Sequence, residues 1–333
     1  MNTKTNEIIA SADIGKFDSK LIGRDTSLTA EDIIRVDLRT NLYDLENGFM
    51  EAEGASYEVK FEDKTYIVGE GATKDYTGTS KTNMIHKVAL YTGITKFLNP
   101  ETVVKEEVKN KVNLVLACPI SVLKIQEAKE EFKKFMKGDG EIDITVDGKN
   151  YKFTIEDITI KAEGSGVVYL YPEIFKGQDV LLVDLGGLNM GISLYRNGSC
   201  KNEDRHIEEC GTDELLKLVK EQASIYDRGN VFNDDDAMKA LKDNGIKVAG
   251  SIDAKSVPFI EKAKTNYFNE VMKNIKKYKI NIDRVDKVVF VGGTTLHIKD
   301  IIGREIKHSF IPERCQWTTA EGGYKVAVKK YSK

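Results

Sequence analysis

Two short segments set a carboxylate beside glycine at the end of an apolar run. The first is Ala12-Asp13-Ile14-Gly15-Lys16-Phe17-Asp18-Ser19-Lys20-Leu21-Ile22, and the second is Leu181-Leu182-Val183-Asp184-Leu185-Gly186-Gly187-Leu188-Asn189-Met190-Gly191-Ile192-Ser193-Leu194. Each reads as an apolar strand, Asp-x-Gly, a few turn residues and a second apolar strand. Glycine lets the chain turn tightly and brings backbone N–H groups to the tip, next to the carboxylate. Such a tip can cradle phosphate oxygens while the carboxylate orders the water shell of a hard divalent cation. Two of these tips facing each other would make a nucleotide clamp. A third segment, Val289-Phe290-Val291-Gly292-Gly293-Thr294, is a buried-type strand that ends in a glycine pair.

The elements that must carry these segments alternate between α and β. Ile8 to Ala12 and Ser19 to Ile22 flank the first tip. Tyr57 to Phe61 and Lys64 to Val68 alternate as a hairpin around Glu62-Asp63, and Ile142 to Val146 with Tyr151 to Ile155 form another around Asp147-Gly148, a strong turn signal. Met84, Val88, Tyr91, Ile94 and Leu98 follow helical spacing up to Asn99-Pro100. Val112 to Ala117 reads as a buried strand before Cys118-Pro119. Ile125, Ala128, Phe132, Phe135 and Met136 then share a helical face that Gly138 ends. After the second tip come a helix from Thr212, an acidic stretch around Asn233-Asp234-Asp235-Asp236, and a long helix from about Pro258 to Lys277.

Composition excludes more than it identifies. The chain has 333 residues, enough for two domains with real cores, with 41% hydrophobic and 31% charged residues and a net charge of −3. No strongly basic face argues for direct nucleic-acid binding. Cys118, Cys200, Cys210 and Cys315 show no CxxC spacing and read as reduced thiols of a cytoplasmic protein. The polar start leads straight into a strand and no apolar run reaches membrane-spanning length, so neither leader nor anchor is expected. His86, His206, His297 and His308 lack ligand spacing. Gly78-Thr79-Ser80-Lys81-Thr82 lacks the second glycine of a P-loop, and no Gly-x-Gly-x-x-Gly follows a strand. Asp-x-Gly alone is a common turn former. Two copies in this order, with a Gly-Gly strand end downstream, are far more specific.

The order of these pieces from Ile8 to about Val328 resembles the actin-like ATPase superfamily, and within it the bacterial ParM-type plasmid-segregation actins. The resemblance implies an α/β, actin-like (ribonuclease H-like) duplicated two-domain fold with an interdomain nucleotide cleft. It places domain I at 1–165 plus 308–333, with a small subdomain at about 35–80, and domain II at 166–307. Asp13, Gly15, Lys16, Ser19 and Lys20 correspond to the first phosphate loop, where the lysine meets the β-phosphate. Asp184, Gly186, Gly187, Leu188 and Asn189 correspond to the second. Asp13 and Asp184 would hold Mg²⁺ mainly through water. Gly292, Gly293 and Thr294 resemble the adenosine motif, with Gly211, Thr212, Asp213, Glu261 and Lys264 as further nucleoside-binding candidates. Glu163, in Lys161-Ala162-Glu163-Gly164-Ser165-Gly166, matches the acidic residue that orients the attacking water. The chain departs from the family pattern at Leu188 and Asn189, where Thr often stands, and at Lys16, where a hydroxyl residue commonly follows the glycine.

The function so implied is a nucleotide-dependent polymerising ATPase whose filaments segregate plasmid DNA. Its ligands would be ATP, with GTP as the competing nucleotide, and Mg²⁺. Its partners would be further copies of itself and a DNA-binding adaptor of the ParR type on a centromere-like plasmid site, with no direct nucleic acid and no membrane. Two alternatives stand beside it. A non-polymerising small-molecule kinase of the same superfamily would need a carboxylate base at an acceptor pocket, and no additional motif for one stands out. A nucleotide-gated scaffold would bind without turnover and be indifferent to loss of Glu163.

Overall fold

The apolar runs assemble into two principal sheets whose core strands share one order. The computed structural model of the chain describes residues 4–29, 32–72, 80–98 and 108–332. The chain divides into two units, Met1–Leu170 with Thr319–Lys333, and Tyr171–Thr318.

The first unit contains strands β1 (Lys4–Ile14), β2 (Asp18–Asp25), β3 (Ile34–Arg39), β4 (Leu42–Asp44), β5 (Ser56–Phe61), β6 (Lys64–Gly69), β7 (Val108–Cys118), β8 (Glu141–Val146) and β9 (Lys149–Ala162). They form one sheet in the order β3-β2-β1-β7-β9-β8-β5-β6-β4. Strand β1 pairs antiparallel with β2 and parallel with β7, and β7 pairs parallel with β9. Ile8, Ala10, Val112 and Leu114 are fully buried, as expected for central strands covered on both faces. The helix Met84–Thr95 packs beneath, its Val88, Leu90, Tyr91 and Ile94 inaccessible to water. The expected helix thus ends at Thr95, and Leu98 is buried in a following turn; Asn99-Pro100, like Gly78 and Thr79, lies outside the described residues. In the helix Gln126–Lys137 the buried residues are Phe132 and Met136, and Gly138 closes it with φ 73°. Ile125 does not share that face. It precedes the first turn as the N-cap residue and is largely exposed.

The second unit contains β10 (Asp179–Leu185), β11 (Met190–Arg196), β12 (Arg205–Glu208), a small hairpin of β13 (Ile246–Val248) and β14 (Ser251–Asp253), β15 (Lys287–Val291) and β16 (Ser309–Phe310). Its five-stranded sheet runs β12-β11-β10-β15-β16, with the first three strands antiparallel and β10, β15 and β16 parallel. This repeats β3-β2-β1-β7-β9 strand for strand, the duplication that the family resemblance implies. Helices Thr212–Tyr226, Asp234–Asp243, Val257–Lys277 and Thr295–Glu305 contribute Leu215, Val219, Ala240, Tyr267, Val271 and Ile298 to its core. The acidic stretch near Asn233 is a helix start. The Asn233 side chain accepts from the Asp236 N–H at 2.8 Å, and three aspartates meet the positive end of the helix dipole.

The chain then returns to the first unit. Its last helix, Thr318–Tyr331, lies so close to the β1 side that a Cβ on Gly322 would fall 2.0 Å from the Gly166 carbonyl oxygen and one on Gly323 2.2 Å from Ser11 Oγ. Its far end is tied to β9, where Lys330 Nζ and Tyr331 Oη each donate to Asp157 Oδ2 at 2.8 Å. Among the described residues no helix is long and apolar enough to cross a membrane, and all four cysteines are free thiols.

Candidate functional site

In the first unit the candidate site is built on the β1–β2 tip. Hairpin pairing sets Asp13 opposite Lys20 and Ile14 opposite Ser19. The Gly15 N–H donates to the Asp18 carbonyl at 3.2 Å, and a Cβ on Gly15 would lie 2.3 Å from that oxygen, so the turn demands glycine. Lys16, Ser19 and Lys20 are all buried. Ser19 shares a 2.7 Å hydrogen bond with Thr40, and Lys20 Nζ sits 3.4 Å from Asp37 and 3.7 Å from Asp18. Lys16 faces inward. Its charge, after burial and Lys81, helps push the His86 imidazole down to about 3.

Glu163 joins this tip from the end of β9. Its N–H donates to the Cys118 carbonyl at 3.1 Å, and the next N–H, on Gly164, donates to Thr319 Oγ1 at 3.1 Å. The left-handed turn at Gly164, φ 72°, ends the strand here. A residue not anticipated from the sequence completes the group. Lys81 Nζ donates to Glu163 Oε1 at 2.5 Å and to the Ile14 carbonyl at 2.7 Å. Its segment is held by the cap of the Met84–Thr95 helix, where Asn83 Oδ1 accepts from the His86 N–H at 3.2 Å and from His86 Nδ1 at 2.7 Å. Burial raises the Asp13 carboxyl to about 6; Lys81 pulls against that rise, Glu163 adds to it, and Lys20 pulls against it more weakly. A carboxylate so poorly compensated gains from another cation beside it.

The other unit carries its own candidate site, around the β10–β11 tip. The Gly186 N–H donates to the Asn189 carbonyl at 2.9 Å, closing the turn through Gly187 and Leu188. Two further segments converge on it. The Thr212 and Asp213 N–H groups donate to the Gly186 and Gly187 carbonyls at 3.0 and 3.1 Å, docking the start of the Thr212–Tyr226 helix. Thr294 donates through its N–H to the Leu185 carbonyl at 3.2 Å and through its hydroxyl to the Gly186 carbonyl at 2.9 Å. Thr212 and Thr294 share a hydroxyl–hydroxyl bond of 2.6 Å. Glycine is required at both junctions. A Cβ on Gly211 would lie 2.5 Å from the Gly187 carbonyl oxygen, and one on Gly292, at φ 91°, 2.3 Å from the Leu185 carbonyl oxygen and 2.6 Å from Asp184 Oδ1. Gly293 is different. A Cβ there would meet nothing within 4 Å, so its backbone borders open space that a ligand can approach.

Structure therefore gathers Asp184, Gly186, Gly187, Leu188, Asn189, Gly211, Thr212, Asp213, Gly292, Gly293 and Thr294 into one cluster. Glu261 and Lys264 lie on the Val257–Lys277 helix. Lys264 Nζ donates to Asn244 Oδ1 at 2.6 Å and pairs with Glu261 at 3.3 Å. Its charge reaches His297, three residues past Thr294, which burial first and Lys264 next hold down to about 4. The sequence missed Cys315 and Thr319 as well as Lys81. The Cys315 carbonyl accepts from the Gly292 N–H at 3.0 Å. No local pattern marks these residues, because each acts through a partner distant in the chain.

Each tip carries one aspartate beside glycine, and the first is accompanied by three buried lysines, a chemistry suited to phosphate oxygens and the water shell of a hard cation. Among the described residues no three His, Cys, Asp or Glu side chains meet as an all-protein metal site.

Comparison with known proteins shows the family and the fold. Residues 11–166 match the family model described as actin like proteins N terminal domain. The chain is 42% identical to the protein of the Alp12 filament structure over 99% of its own length and 100% of that chain, with a TM-score of 0.70. It superposes on Ta0583, an archaeal actin homolog crystallised in complex with ADP, at 15% identity, 97% and 99% coverage and a TM-score of 0.72. It also superposes on the apo psk41 ParM protein at 14% identity, 98% coverage of each chain and a TM-score of 0.67. The last two likenesses speak to the fold alone, and that fold is actin-like. Curated proteins give no match.

Proposed function

The chain belongs to the actin-like protein family, and from that premise we propose that it is an ATPase whose nucleotide-dependent filaments segregate plasmid DNA. The observation that carries the reading is the 42% identity, over 99% of the chain, to a protein whose solved structure is a filament. The two glycine tips, one in each unit, supply the reason for nucleotide dependence.

In this reading the tip N–H groups, Lys16 and Lys20 neutralise the phosphate oxygens, while Asp13 and Asp184 hold the metal's water shell. Bound Mg²⁺ supplies charge neutralisation on the β- and γ-phosphates. Glu163 orients a water in line with the γ-phosphorus. The water oxygen forms a bond to phosphorus as the bond to the β–γ bridging oxygen breaks. ADP leaves with that electron pair, and the water's proton passes to Glu163 or solvent. Phosphoryl transfer asks mainly for positioning and charge stabilisation, which this residue set provides. Contact of one subunit's surface with a different surface of the next does not close, so such subunits grow filaments. The adaptor would be a DNA-binding protein of the ParR type at a centromere-like site, since this chain, with net charge −3, has no strong basic excess of its own.

The test is light scattering and pelleting of the purified protein with ATP·Mg²⁺, ADP·Mg²⁺ or EDTA, alongside phosphate release. Scattering that rises with ATP above a critical concentration, followed by phosphate release, is the expected result. Phosphate release at monomer-level scattering would overturn the filament reading and favour a kinase.

A further inference from the structure

Lys81 has properties that a surface or purely structural lysine does not need. Its side chain is 8% exposed, and its ammonium is bonded both to the Ile14 carbonyl within the Asp13-x-Gly15 tip and to the carboxylate of Glu163. Removing an ammonium from water is costly unless its partners are well placed, and an apolar side chain would fill the same space without that cost. Both partners are tied down by hydrogen bonds. The tip is closed by the Gly15–Asp18 bond, and Glu163 is held through Cys118 and through Gly164 to Thr319. The Lys81 backbone lies two residues before Asn83, the N-cap of the buried Met84–Thr95 helix. A charged group is therefore held in place between the phosphate tip and the water-orienting carboxylate.

We propose that Lys81 is a latch on Glu163 that responds to the terminal phosphate; this deepens, and rests on, the ATPase reading of the same site. Without nucleotide, the ammonium neutralises Glu163 and keeps its Oε1 occupied. A γ-phosphate is a more highly charged anion than a carboxylate, and at the tip it competes for that ammonium. Shared with phosphate, Lys81 loosens its hold on Glu163 Oε1 enough for that oxygen to accept from a water, while the contact that remains keeps the carboxylate in line; without Lys81 the carboxylate is free but unaligned. ADP lacks the γ-phosphate and leaves the latch shut. Lys81 is thus a positioning residue, acting through Glu163, and it gives the site of the first unit a way to distinguish ATP from ADP.

The experiment uses the full chain and its K81M, K81Q, E163Q and K81M/E163Q variants, with fluorescent mant-ATP and mant-ADP for affinity and single-turnover phosphate release for chemistry. K81M should bind mant-ADP like the parent but lose about tenfold of its preference for mant-ATP. Its hydrolysis should fall about 100-fold with little change in KM, and adding E163Q should slow it by no more than about threefold further, as expected of residues acting as a unit. K81Q keeps a donor for the Ile14 carbonyl without the charge and should behave as K81M does; it carries the test if K81M does not fold. K81M hydrolysis at the parent rate, with E163Q slow, overturns the latch and leaves the ATPase reading standing. So does a double-variant loss equal to the product of the single losses. A parent protein that binds neither nucleotide overturns the ATPase reading, and the latch with it.

Discussion

Replacing Gly322 by alanine tests the close approach that returns the chain end to the first unit. In an exposed helix the change would stabilise by about 1 kcal/mol, because glycine is the poorer helix former. Here the new Cβ would sit 2.0 Å from the Gly166 carbonyl oxygen and 2.4 Å from the Gly166 carbonyl carbon and Cα. All three are backbone atoms, so no rotamer change relieves the clash. Real Cβ atoms essentially never approach within 3.0 Å, so the Thr318–Tyr331 helix must retreat by about 1 Å or more. Overpacking of this kind costs about 3 kcal/mol or more, leaving a net loss of about 2–3 kcal/mol after the propensity gain. For a unit of this size that is roughly 4–12 °C in Tm. The same retreat carries Thr319 away from the Gly164 N–H, now 3.1 Å distant, and so loosens Glu163. Scanning calorimetry of nucleotide-free protein, with each transition recorded separately, measures the first effect, and phosphate release measures the second. Gly303→Ala is the matched control. It lies within the Thr295–Glu305 helix, with nothing within 4 Å of its Cβ position, and should gain about 1 kcal/mol. A G322A protein that melts at or above the parent temperature, or a G303A protein that falls as far, would refute the packing argument.

Three further outcomes follow from named groups. Buried His86 stays neutral in the folded protein down to about 3, whereas the unfolded chain takes up a proton below 6.5, so stability should fall with pH through that window. The loss should reach roughly 2–3 kcal/mol by about pH 4.5, and urea midpoints across a pH series should flatten in His86→Gln. The hydrogen bonds from Lys330 and Tyr331 outweigh burial and hold the Asp157 carboxyl down at about 2, so its contribution is present above the unfolded value of 3.8 and lost as pH falls toward 2. Because its side chain is 40% exposed, Asp157→Asn should cost only about 1 kcal/mol at neutral pH and nothing near pH 2, read from melts at both. Gly293→Ala should leave the melting temperature unchanged, since the Cβ position is open. Its affinity for mant-ATP should nonetheless drop about tenfold where a nucleotide lies against that backbone; unchanged affinity would remove Gly293 from the site.

Much of the fold was legible because its signals are local. Apolar runs closed by Asp-x-Gly, by Asp147-Gly148 or by a Gly-Gly pair specify strand, turn and strand within about a dozen residues, and helical spacing marked Met84 to Ile94. Errors fell where the local signal weakens, as at Ile125, whose apolar side chain continues a helical pattern that begins only after it. The site divides along the same line. Both glycine tips were readable because each is a single hairpin, and Lys16 was visible as a departure whose direction was not.

The sequence by itself determined the two hairpins, the glycines that allow them and the family to which they point, since turn chemistry and strand periodicity act between near neighbours. Only tertiary structure decided which distant residues serve those hairpins. Lys81 meets Glu163 and Thr212 meets Thr294 across 82 positions each, and Gly164 finds Thr319 across 155. Such pairs depend on the order in which strands enter a sheet and on where the last helix returns. That order is set by the summed burial of both cores, which no short stretch of residues encodes.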